Sequence, residues 1–102
     1  MIEGKLYSCS KYFLLLFPDK DTAATAATTN RAVAARRWGA AGATVAYWSK
    51  RFGKPVNYCD PKTPLLVLSV KEEYIQVLAG DQKGWIIYQD RLDIGEIIDA
   101  AA

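Results

Sequence analysis

In the C-terminal half of the chain, apolar and polar positions fall into three β-rich runs. Leu66, Leu68 and Val70 alternate with Val67 and Ser69, Tyr74 to Leu78 makes a second run, and Gly84-Trp-Ile-Ile-Tyr88 makes a third. Lys71-Glu-Glu73 is a polar tip between the first two. Ala79-Gly-Asp-Gln-Lys-Gly84 carries the glycines that a tight reversal needs for positive φ. Three strands joined by two hairpins are therefore predicted. Near the N-terminus, Gly4 to Phe17 is rich in aromatic and branched side chains and reads as strand up to Pro18. Its second half, Tyr12 to Phe17, is apolar at consecutive positions, which calls for burial on both faces and for an element lying over it.

Residues 19–53 are the expected cover. Asp19 or Asp21 can cap a helix after Pro18, and the Thr/Ala series leads into Arg31-Ala-Val-Ala-Ala-Arg-Arg-Trp38, where alanine and arginine favour helix. Thr22, Thr25, Thr28 and Thr29 weaken this helix and predict a loose start. Gly39 and Gly42 interrupt it. A second helix is predicted over Ala43 to Phe52, with Val45, Trp48 and Phe52 on one face and Gly53 and Pro55 as its stop. Lys54 to Cys59 then reads as a short edge strand with proline at its entry, and Asp60-Pro-Lys-Thr-Pro64 as a turn-rich connector. Leu92-Asp-Ile94 and Glu96 to Asp99 form a closing strand or a single helical turn, and Ala100 to Ala102 fray. No repeat or linker divides the 102 residues, so one domain spanning 1–102, of α+β (mainly β) class, is expected.

The spacing from Leu65 to Ile94 resembles the second half of an SH3-like small barrel, most of all its bacterial form. The resemblance rests on Leu66-Val-Leu68, the polar tip Lys71-Glu-Glu73, the strand Tyr74 to Leu78, the glycine turn Gly80 to Gly84, Gly84-Trp85-Ile86 and the closing Leu92-Asp-Ile94. It implies a small antiparallel barrel with a helical insertion, at about residues 19–53, between the first and second strands. Signalling members of that superfamily bind proline-rich peptides through an acidic and aromatic first loop, and here the insertion stands in its place. Many bacterial members act on cell-wall peptides, and barrels of this shape also occur in ribosomal and RNA-binding proteins.

Charge divides the chain. The net value is +2, yet residues 19–54 hold seven basic against two acidic side chains, a net of +5, while residues 55–102 hold four basic against eight acidic, a net of −4. A basic middle facing an acidic C-terminal half makes the molecule a dipole and favours self-association at low salt. Cys9 and Cys59 are far apart, and no secretory leader precedes Cys9, so free thiols in a cytoplasmic protein are expected. The apolar run at Tyr12 to Phe17 is too short to cross a bilayer, and no membrane partner is indicated.

Catalytic chemistry finds little support. The chain has no histidine, hence neither the commonest general base nor the commonest metal ligand. The two cysteines lack zinc or redox spacing, no serine stands in a nucleophile motif, and Gly80 to Gly84 reads as a hairpin turn rather than a phosphate loop. Asp90, Asp93 and Glu96 read as solvated turn residues. No enzyme activity, cofactor, metal or small-molecule substrate is expected.

Two binding features remain. Arg31, Arg36, Arg37, Lys50, Arg51 and Lys54 are interleaved with Trp38, Tyr47 and Trp48, a combination suited to phosphate contacts and base stacking. Core packing of Trp48 beside Val45 and Phe52, with the charges on a solvated face, is the competing reading. The second feature is the small-residue stretch Ala34 to Ala43, which buries little apolar area alone and would gain from a partner surface. The expected role is a non-enzymatic interaction or structural protein that binds a protein partner or forms a homo-oligomer. The alternative is a nucleic-acid-binding module using the basic insertion.

Overall fold

The β-rich segment predicted from Gly4 to Phe17 folds as two strands, β1 (Leu6–Cys9) and β2 (Leu14–Leu16), separated by a bend at Ser10 and Lys11. The rest of the order is α1 (Lys20–Ala35), α2 (Ala41–Phe52), β3 (Asn57–Cys59), β4 (Leu65–Lys71), β5 (Tyr74–Ala79), β6 (Gln82–Ile87) and β7 (Ile94–Glu96). These elements come from a computed structural model that describes residues 1–35, 41–89 and 94–97, the side chains of residues 30–35 excepted. The helices thus lie between β2 and β3 rather than after a single first strand.

All ladders among the described residues are antiparallel. One sheet has the order β6-β5-β4-β1-β7 and a second pairs β2 with β3. The two meet where Phe17 and Trp85 exchange backbone hydrogen bonds of 2.9 and 2.8 Å. The expected closed barrel is not formed among the described residues, where β7 pairs only with β1 and β3 only with β2. Hydrogen-bonded positions recur at every second residue of an antiparallel ladder. The next such position after Phe17 is Asp19, and its carbonyl already accepts the Ala23 N–H and the Thr22 hydroxyl at the start of α1. Extension of the β2–β6 contact therefore stops after one bridge.

Alternation places Leu65 and Val67 of β4, Ile75, Val77 and Ala79 of β5, and Gly84 and Ile86 of β6 on the buried side. Along β4 the pattern does not persist as simple alternation. A bulge lies between Val67, opposite Val77, and Ser69, opposite Gln76, so Leu68 is the extra residue and Val70 comes round to face Ile75. Pairing of Ala79 with Gln82 leaves the two-residue loop Gly80-Asp81, and Gly80 has φ +65° as the glycine signal predicts. The polar tip is equally tight: Lys71 pairs with Tyr74, and Glu72 at the turn has φ +60° without being a glycine.

β2 is buried throughout, and so is Phe17. The insertion supplies its cover. Asp19 is the cap of α1: its Oδ1 accepts the Thr22 N–H at 2.8 Å, and the Thr22 hydroxyl donates to the Asp19 carbonyl at 2.9 Å. The threonines therefore do not loosen the helix start. Thr22 closes it, and Thr28 and Thr29 bond back to the carbonyls one turn earlier. Ala23, Ala26 and Ala27 are buried, and their small side chains let α1 lie against β6 and β5.

The second helix begins at Ala41, so Gly42 falls inside it, whereas Gly39 lies outside the described residues. Its apolar face carries Trp48, which stacks on Phe52 at 5.6 Å and meets Phe17 edge-on at 6.2 Å. Gly53, at φ +64°, ends the helix by donating to the Ser49 carbonyl, and the Ser49 hydroxyl accepts the Val56 N–H at 2.8 Å.

Candidate interaction surfaces

Helix α2 splits the predicted basic and aromatic cluster between two environments. Tyr47, Lys50 and Arg51 stand three and four residues apart on the solvent side, with Tyr47 51% exposed and both cations exposed. Trp48 meets the Tyr47 ring edge-on at 5.0 Å but is only 1% exposed, so its ring packs the core and offers no face to a base. Lys54 is drawn off toward α1, where its Nζ meets Asp19 Oδ2 at 3.1 Å. Arg36 and Arg37 lie outside the described residues, as does the side chain of Arg31. What the fold brings together is thus the trio Tyr47, Lys50 and Arg51.

The Asp19 carboxyl is held below its ordinary value, first by the Thr22 backbone N–H and then by Lys54. Of the groups that suit phosphate recognition in the sequence, Trp48 thus serves core packing and Lys54 pairs with the capping carboxylate. Of the carboxylates, Asp90 and Asp93 lie outside the described residues, and Glu96 pairs with Lys5 at 3.2 Å.

A second surface was not legible as such in the sequence. Directly paired residues of neighbouring strands point to the same side of a sheet. Leu6 is opposite Leu66, Leu66 opposite Leu78, and Leu78 opposite Lys83. Ile97 extends the row, since its N–H donates to the Leu6 carbonyl at 2.8 Å. The result is an apolar row across four strands, bounded by a lysine, on the side facing away from the core residues Leu65, Val67 and Val77.

Leu6 is 43% exposed and Ile97 36%, while Leu66 and Leu78 are half-buried. The same side of β5 also carries Tyr74, whose ring lies 5.7 Å below Lys20 Nζ of α1. Lys20 of α1 thus reaches over the Tyr74 end of this face, while Leu6 and Ile97 at the β1–β7 end stay exposed. The available signal was that β4 is apolar on both sides, which a strand covered on one side does not need.

None of the described helices is long and apolar enough to cross a membrane. Comparison of the chain with protein-family models, with curated proteins and with solved structures finds no match.

Proposed function

We propose that the chain is a non-enzymatic interaction or structural protein, an SH3-like domain with a helical insertion, whose open sheet face takes up a protein partner or a second copy of itself. The strand order β7-β1-β4-β5-β6 supports the SH3-like reading. In it a three-strand meander is flanked by the first strand, and the last strand returns to the first. The β2–β3 pair, with both helices at its tip, then stands where the long first loop of such a barrel would be.

The observation that carries the functional reading is the contiguous row Ile97, Leu6, Leu66 and Leu78, exposed at its Leu6 and Ile97 end. Sedimentation equilibrium and a crosslinking pull-down on the intact chain test it. Association with itself or a captured protein is expected to weaken at least about tenfold with Leu6→Glu, an exposed position whose change leaves the core intact. Association unchanged by Leu6→Glu, or a strict monomer with no partner, overturns the reading.

The exposed trio Tyr47, Lys50 and Arg51 favours a second reading, a nucleic-acid-binding module. Binding to single-stranded RNA that falls steeply with salt and is reduced by Lys50→Ala and Arg51→Ala supports it. No mobility shift at low salt disposes of it.

A further inference from the structure

Cys9 and Cys59 are the two cysteines of the chain, and both are buried and outside any disulfide. Two independent backbone links bring these distant residues to one end of the core. The Cys9 carbonyl accepts the Lys62 N–H at 2.8 Å. Lys62 belongs to the turn that directly follows Cys59, closed on the Asp60 carbonyl by the Thr63 N–H at 3.3 Å and the Thr63 hydroxyl at 2.7 Å. On the other side, Cys59 pairs with Leu14, where the chain re-enters strand after leaving β1 at Cys9. Both side chains join the same buried cluster. Burial pushes the Cys59 thiol up to about 11, and the nearby Cys9 adds to the rise.

We propose that Cys9 and Cys59 are a dithiol that closes to an intrachain disulfide, clasping the end of β1 to the edge strand β3, with a small-molecule disulfide of the glutathione class as electron acceptor. One protein thiol loses its proton and attacks a sulfur of the oxidised glutathione, forming a mixed disulfide and releasing one glutathione thiolate. The second protein thiol, deprotonated in turn, displaces the remaining glutathione. The protein loses two protons and two electrons, and one glutathione disulfide takes them up to become two thiols.

Burial keeps the exchange slow, so access runs through opening of the Asp60–Thr63 turn, where Lys62 is held at φ +70°. Both helices lie between β2 and β3, so closing the bond ties down the base of the whole insertion.

The test measures the equilibrium between dithiol and disulfide in the full chain, in glutathione buffers of graded ratio, approached from the reduced and from the oxidised side. Intact mass after alkylation counts thiols, and a non-reducing peptide map locates the link. Native geometry that favours the bond makes the equilibrium constant for closure at least about tenfold larger in buffer than in urea. By linkage, the oxidised chain then unfolds at a higher urea concentration than the reduced chain, a shift absent from Cys9→Ala and Cys59→Ala. An equal or smaller constant in buffer than in urea overturns the proposal. So does a product that is only the mixed disulfide with glutathione, or only an intermolecular dimer.

Discussion

Gly84 is where the two sheets come closest, and replacing it with alanine measures how tightly that junction is built. A Cβ at residue 84 would stand 2.7 Å from Leu16 Cβ, 3.2 Å from its Cα and 3.3 Å from its carbonyl carbon. Carbon atoms settle at about 3.5–4.0 Å, so the strands would have to separate by on the order of 1 Å. Rotation of the Leu16 side chain gives no relief, because Cβ and the backbone do not move with χ1. β2 is meanwhile fixed by three paired residues on β3, by the Phe17–Trp85 hydrogen bonds, and by Trp48 against Phe17.

Overpacking of this kind costs about 1–3 kcal/mol, offset by roughly 0.5–1 kcal/mol from the lost flexibility of glycine in the unfolded chain. Gly84→Ala is thus expected to destabilise by about 1–2 kcal/mol, or about 5–15 °C in Tm for a domain of this size. Urea unfolding followed by tryptophan fluorescence reads it as a lower midpoint at unchanged slope. A double-mutant cycle with Leu16→Ala sharpens the test. Alanine keeps the clashing Cβ, so it does not rescue Gly84→Ala, whereas Leu16→Gly recovers part of the loss. A Gly84→Ala protein as stable as the parent, or full rescue by Leu16→Ala, refutes the reasoning.

Three other outcomes follow from single contacts. Glu72→Gly relieves the left-handed backbone at φ +60° and is expected to raise stability by about 0.5–1 kcal/mol, read as a higher urea midpoint. Asp19→Ala removes the α1 cap and is expected to cost about 1 kcal/mol. Because the Asp19 pKa is lowered in the folded chain, the parent's advantage over the variant is present above the unfolded value and lost as pH falls through the folded one. The Cys59 thiol is raised from 9.0 to about 11, so its contribution is full below about pH 9 and is lost as pH rises toward 11. Cys59→Ala is expected to flatten that part of the pH profile, and an unchanged profile refutes the assignment.

What was legible in the sequence was whatever short-range physics fixes. The strand runs at Tyr74 to Leu78 and Gly84 to Tyr88 carry the β-rich composition, and Gly80 must supply the positive φ of its turn. Four consecutive apolar residues from Leu14 to Phe17 cannot be half-solvated, so a cover over them follows before any fold is known. Gly53 stops α2 for an equally local reason. Trp48 already shared a periodic face with Val45 and Phe52, and the core claims it.

Tertiary structure decided the rest, because it depends on which distant segments meet. The bulge at Leu68 takes its position from register with β5, since alternation alone cannot say where one extra residue enters. The split of Gly4 to Phe17 into β1 and β2 follows from their different partners, β4 and β7 for the first, β3 and β6 for the second. Lys54 looked like a free cation until the fold carried it to Asp19. The open row from Ile97 to Leu78 and the meeting of Cys9 with the turn after Cys59 are likewise products of strand order. The sequence alone determined the local conformations and the demand for burial; the pairing of strands decided which surfaces meet that demand and which remain open, because pairing energy is shared between residues that no local pattern connects.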